Sequence, residues 1–267
     1  MTRLPTLFVS HGAPTWALEP GVAGQLLADI GKTMPKPEAV LVVSPHWTTR
    51  EVTVSGAEQP RTIHDFGGFP EALYRIQYPA PGHSRLASLA ADALRSAGFA
   101  VTLDGQRGLD HGAWVPLRHL YPSADVPAFQ VSMPATLDAA SAWRLGEALA
   151  PLSEQGVLIV GSGSLTHNLH EFVMGATRAA PYAEEFVAWI REAVLAGDGE
   201  RLKQALAIAP HASRAHPTPE HFLPLLVAAG AADRSAPARV LEGGMTYGVI
   251  SMESYLFGDN STAGKTH

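Results

Sequence analysis

Ala39–Trp47 reads AVLVVSPHW. Five of its first six residues are aliphatic and three of these are Val, the composition of a short strand buried on both faces. Pro45 has no N–H to offer a neighbouring strand and favours a turn, so Ser44 and Pro45 are expected to end the strand. His46 is then left just past the carboxyl end. In an open α/β sheet, that edge is where ligands bind.

The same construction occurs twice more. Thr6–His11 (TLFVSH) and Gly156–His167 (GVLIVGSGSLTH) are apolar runs that break into Ser or Gly and then present a histidine. One such histidine has an ordinary explanation, a ring hydrogen-bonded in a loop. Three at the same kind of strand end point to a shared polar site.

The 267 residues are 46% hydrophobic and 16% charged, an ordinary globular composition that argues against disorder. A net charge of -6 argues against a nucleic-acid partner, which needs a basic face. Cysteine is absent, which rules out disulfides, thiolate metal sites and a cysteine nucleophile. Any metal must be held by nitrogen and oxygen. The N-terminus lacks the pattern of a signal peptide, and the apolar run 222–232 is too short to span a bilayer, so a soluble cytoplasmic protein without membrane partners is expected.

Along the rest of the chain, helical spacing predicts helices over Val22–Thr33, Ser84–Ser96, Asp138–Ala150, Pro181–Ala196 and Arg201–Ala209. Strands are predicted near Leu4–Ser10, Val52–Ser55, Ala100–Leu103, Ala128–Met133, Ala238–Glu242 and Thr246–Tyr255. This alternation implies an α/β fold, a single domain over 1–257 with a central, mostly parallel or mixed sheet flanked by helices. Residues 258–267 read as a polar tail. The aperiodic segment Arg61–Gly82, rich in Gly, Pro and aromatic residues and including His64, Asp65 and Phe66, has the length of a site-lining loop. In Gly108–Trp114 (GLDHGAW), Asp110 either orients a histidine ring or caps the helix that follows. In Pro210–Pro224 (PHASRAHPTPEHFLP), Thr218 and Pro219 are expected to start a helix with Glu220 and His221 in its first turn.

Imidazoles converging from separate strand ends suit a divalent first-row metal, Fe(II) or zinc. His11 and His46 are the candidate ligands carried by the sheet, and His221 or Glu220 would complete a facial set with positions left open for substrate. His167 and His111 would then be free to move protons.

Six segments, FVSHGAPT, VVSPHW, TIHDFGGFPEALY with YPAPG, DHGAWVPL, GSGSLTHNL and HPTPEHFLPLL, occur in an order that resembles the class III extradiol ring-cleavage dioxygenases, and within them the subgroup similar to DOPA 4,5-dioxygenase. The resemblance spans nearly the whole chain. It implies a mononuclear non-haem Fe(II) enzyme that opens a catechol ring beside its two hydroxyls with O2. By motif match it implies His11, His46 and His221 as metal ligands, His167 as the base for a catechol proton, and His111 as a hydrogen-bond donor to substrate or oxygen. Protocatechuate-type members have a glutamate as third ligand; here His221 stands at that position with Glu220 beside it, and an all-imidazole set also suits zinc. A zinc hydrolase and a non-enzymatic binding protein are the alternatives. The particular catechol and the oligomeric state are not legible.

Overall fold

The computed structural model describes residues 3–258. The predicted tail therefore lies outside the described residues, apart from Gly258. Ten strands occur in the described chain: β1 Thr6–Ser10, β2 Ala39–Thr49, β3 Val52–Ser55, β4 Val101–Asp104, β5 Ala128–Pro134, β6 Val157–Gly163, β7 Arg239–Leu241, β8 Met245–Thr246, β9 Ile250–Ser251 and β10 Ser254–Phe257. Eight form one mixed sheet in the order β4-β3-β5-β2-β6-β1-β10-β7, while β8 and β9 pair separately. Its centre, β5-β2-β6-β1, is parallel throughout, so these four carboxyl ends share one edge. Every residue of β1 and β6 is buried, as the uninterrupted apolar runs imply.

The helices are α1 Gly21–Thr33, α2 Glu71–Tyr74, α3 Ser84–Ser96, α4 His111–Leu120, α5 Ala139–Leu149, α6 Pro181–Leu195, α7 Gly199–Ile208, α8 Ala212–Ala215 and α9 Leu223–Ala231. They cover both faces of the sheet. On β6, Ser162 faces α4 through the Gly112 carbonyl, whereas the neighbouring Gly161 and Gly163 face the α9 side, because successive strand residues point to opposite faces. The α/β class and a single layered domain are thus as the sequence implies.

Three expectations need correction. The strand that opens the sequence argument does not end at Ser44 and Pro45; β2 continues to Thr49. Its pairing with β5 is regular from Val40 to Val43, then shifts and resumes at Thr48, while pairing with β6 ends at Val43. Pro45 and His46 occupy the irregular stretch, where a missing N–H leaves no ladder bond broken.

Thr246–Tyr255 is not one strand but parts of three, because Tyr247 (φ 52°) and Gly248 (φ 77°) turn the chain between β8 and β9. The helix expected from Thr218 begins instead at Leu223, and Glu220 and His221 lie in the turn before it. A helix through Pro219 would require an N–H from residue 224 to the carbonyl of residue 220, and Pro224 has none. Pro224 fits the first turn of α9, where that N–H has no partner anyway.

Candidate active site

The carboxyl edge of the parallel strands carries the histidines. His11 follows β1, His46 sits in the bulged part of β2, and β6 lies between the two strands. His221 reaches the same edge because β6 ends in glycine. A Cβ on Gly163 would lie 2.2 Å from the His221 carbonyl oxygen, and that carbonyl accepts from the Ser164 N–H at 2.9 Å. Close approach here brings the loop ahead of α9 down onto the strand.

The rings of His11, His46 and His221 form a near-equilateral triangle, with centroids 5.0, 5.1 and 5.5 Å apart. One ligating atom from each lies within 4.8 Å of the others. Burial, reinforced by the neighbouring imidazoles, lowers the basicity of all three, His46 to about 3. They are therefore neutral at physiological pH, the state that ligates a metal.

Hydrogen bonds fix which nitrogen faces inward. Ser162 gives its proton to the Gly112 carbonyl, so its oxygen can only accept from His11 Nδ1, 3.0 Å away. His221 Nδ1 lies 3.1 Å from Glu220 Oε1, and a carboxylate likewise only accepts. Both rings thus keep Nε2 unprotonated. His11 Nε2 and His46 Nε2 are 3.1 Å apart, the separation expected of two adjacent donors at about 2.0–2.1 Å from one ion. The donor set fits a divalent metal at this point. Glu220 stands behind His221 as its hydrogen-bond partner, and Thr218 also donates to it at 2.9 Å.

The two remaining candidates flank the triangle. His167 stacks on His221 with centroids 3.5 Å apart and planes 8° from parallel. Burial is the main cause that lowers its basicity too, leaving a neutral ring able to take a proton. His111 lies beside the two other members of the triangle, its ring 3.9 Å from His46 and 5.5 Å from His11. It opens α4, whose approach depends on Gly112: a Cβ there would meet Ser44 Oγ at 2.3 Å and His46 Cδ2 at 3.0 Å.

Of the two roles open to Asp110, capping is the one the structure contains. Its side chain accepts from the Ala113 N–H, and Gln130 on β5 both donates to its carboxylate at 2.8 Å and accepts its N–H at 3.0 Å. Burial pushes the Asp110 carboxyl up. The residue that holds the His111 ring is Asp65. Its Oδ1 accepts the His111 backbone N–H at 2.8 Å, and its Oδ2 lies 2.9 Å from His111 Nδ1. Burial alone would raise the Asp65 carboxyl, but the His111 hydrogen bonds and charge outweigh it and hold the group below its usual range. The aperiodic loop thus contributes to the site. Its only sequence signal was a carboxylate between histidine and phenylalanine in a long loop.

The same loop supplies an aromatic wall. Phe66 meets the His111 ring edge-on at 5.6 Å and packs against Phe69, Tyr74 and Trp114. Two further histidines turn out to be structural. His64 is bonded to the Ile76 carbonyl at 2.9 Å inside this wall. His216 is buried between Phe186 and Phe222, with Nε2 bonded to the Leu165 carbonyl at 2.9 Å.

Known proteins resemble this chain over nearly its whole length. The chain is 41% identical over 256 residues to a 4,5-DOPA dioxygenase extradiol from Beta vulgaris, covering 94% of this chain and 96% of that protein. It is 40% identical over 262 residues to a protein of the same name from Escherichia coli (strain K12), covering 96% of each. A crystal structure of an uncharacterized protein from Escherichia coli K12 superimposes with a TM-score of 0.80 at 32% identity, covering 96% of this chain and all of that one. Residues 8–258 match the family described as the catalytic LigB subunit of aromatic ring-opening dioxygenase, and the chain belongs to that family.

Proposed function

We propose that this enzyme opens the ring of a catechol on the extradiol side, with O2, at a mononuclear Fe(II) held by His11, His46 and His221. Extradiol ring cleavage is the activity its relatives carry, and it is favoured over hydrolysis or a non-enzymatic role. The observation that carries the residue assignment is the triangle of neutral imidazoles, with His167 stacked on one member and His111 on another. An all-nitrogen set accepts zinc or iron, but zinc has no redox chemistry and a reaction that consumes O2 needs it.

When bound, the iron supplies chelation of the two catechol oxygens and activation of O2. The protein supplies the remainder. His167, beside His221, takes a proton from a catechol hydroxyl and returns it later in the cycle, a contribution of ~10²- to 10⁴-fold. His111, beside His46, is the second hydrogen-bonding group. The Phe66 wall offers aromatic edges to the ring and keeps water from it. DOPA is the first catechol to try, given the names of the relatives.

The test is anaerobic reconstitution with Fe(II), followed by oxygen uptake and product absorbance over a panel of catechols that includes DOPA. A ring-cleavage chromophore with matching oxygen consumption is expected. Absence of uptake with every catechol, in protein that holds zinc tightly, would defeat the reading.

A further inference from the structure

Asp65 faces two adjacent histidines of the proposed centre. Its Oδ2 lies 2.9 Å from His111 Nδ1 and 3.6 Å from His46 Nδ1, while Oδ1 accepts the His111 backbone N–H at 2.8 Å. One carboxylate thus faces the outward nitrogen of a proposed metal ligand and that of the neighbouring histidine, with the two rings 3.9 Å apart. The side chain is one-fifth exposed, and its loop is anchored independently: the Ile63 N–H bonds the Leu109 carbonyl at 2.8 Å and the Trp114 indole bonds the Ile63 carbonyl at 2.9 Å.

We propose that Asp65 is a positioning residue that places the proton of neutral His111 on Nδ1 through a hydrogen bond and, from 3.6 Å, favours the same tautomer in His46, so that both rings turn an unprotonated Nε2 toward the reaction space. His111 there accepts a hydrogen bond instead of donating the one the resemblance implied. The reason is the donor inventory. A carboxylate offers only acceptors, so an imidazole nitrogen facing it carries the hydrogen. For His111 the arrangement is bidentate, because backbone and ring of the same residue hold the two carboxylate oxygens. That fixes the ring plane as well as the tautomer, and a partner behind a ligating histidine raises its basicity toward the metal. Ser162 and Glu220 play the single-histidine version of this part behind His11 and His221. Asp65 hydrogen-bonds a residue outside the proposed ligand set while facing a member of that set.

Asp65→Asn isolates the effect, because it keeps the shape and the acceptor for the backbone N–H. Its amide nitrogen then faces His111 Nδ1 as a donor, which forces the ring proton to Nε2. Long-range 1H–15N spectra of the full chain with 15N-labelled histidine, loaded with diamagnetic Zn2+ and again after chelation, read the tautomer without any catechol. Single histidine-to-glutamine variants assign the signals.

The expected result is Nδ1–H for His111 in the native chain and Nε2–H in Asp65→Asn, at an unchanged melting temperature. With Fe(II) and an active catechol, kcat should fall about 10- to 100-fold while KM stays put. Asp65→Ala should lose the fixed tautomer without forcing the opposite one. An Nε2–H signal for His111 in the native chain would overturn the proposal, as would native tautomers and native kcat in Asp65→Asn. The kinetic arm rests on the ring-cleavage reading and the spectra do not, so a protein inactive on all catechols but with the expected spectra would sink only that reading.

Discussion

The two halves of the site are built differently. His11 directly follows β1, with its N–H on the Gly163 carbonyl at 2.9 Å, and His46 sits in the bulge of β2, with its N–H on Ser44 Oγ at 3.2 Å, the two strands lying on either side of β6. His221, His167 and His111 come from loops and a helix start, held by individual bonds: the His221 carbonyl to the Ser164 N–H, the His167 N–H to the Ala215 carbonyl, and the Asp65 carboxylate to His111. The strand half takes its position from two sheet strands that flank β6, whereas each group of the loop half is placed by a bond to a separate segment of chain. Metal retention should therefore depend most on the strand half, and proton handling on the loop half.

The largest effects should follow that division. His11→Ala and His46→Ala should lose both bound metal and ring cleavage, measured as metal retained after desalting and as oxygen uptake. His167→Ala should keep its metal after loading with Fe(II) and lose about 10²- to 10⁴-fold in kcat. Loss of metal from His167→Ala, to the degree seen in His46→Ala, would mean that the base and the ligands are not separate sets.

A smaller effect should come from Glu220, the residue that competes with His221 for the role of third ligand. Its carboxylate accepts from His221 Nδ1 and from Thr218, the position of a partner behind a ligand. Glu220→Gln keeps the acceptor oxygen and removes the charge, so metal affinity should fall about 10- to 100-fold, by competition with a chelator. Complete loss of metal in Glu220→Gln, with His221→Ala retaining it, would exchange the two roles.

What was legible in the sequence follows the same line. Uninterrupted aliphatic runs marked β1, β2 and β6, and a histidine after each run located the edge of the site, because burial on both faces leaves a strong local signature. Helices α1, α3 and α5 were found within a residue or so by their periodicity. Asp65 was visible only as a residue in a long aperiodic loop, since nothing local reveals that a side chain 46 positions before His111 will bond its ring. The continuation of β2 through Pro45 was hidden for the opposite reason: a strong local rule, proline ending a strand, yields where a bulge removes the need for the ladder bond. Pro224, by contrast, was a local signal that should have moved the start of α9 to Leu223.

The smallest effect concerns how the loop half is anchored. His216 lies five residues before His221, fully enclosed, and burial lowers its basicity to about 4 although its bond to the Leu165 carbonyl opposes this. An unfolded histidine titrates near 6.5, so below that pH the unfolded chain binds a proton that the folded chain refuses. Stability contributed by the neutral ring is therefore complete above about pH 6.5 and declines as pH falls toward 4, by up to about 3 kcal/mol. Urea midpoints of the metal-free full chain at pH 7 and pH 5 measure the loss, and His216→Gln should show less of it. Were the loss equally steep in His216→Gln, the acid sensitivity would belong instead to the buried imidazoles of the metal triangle, and the loop half would stand without this anchor.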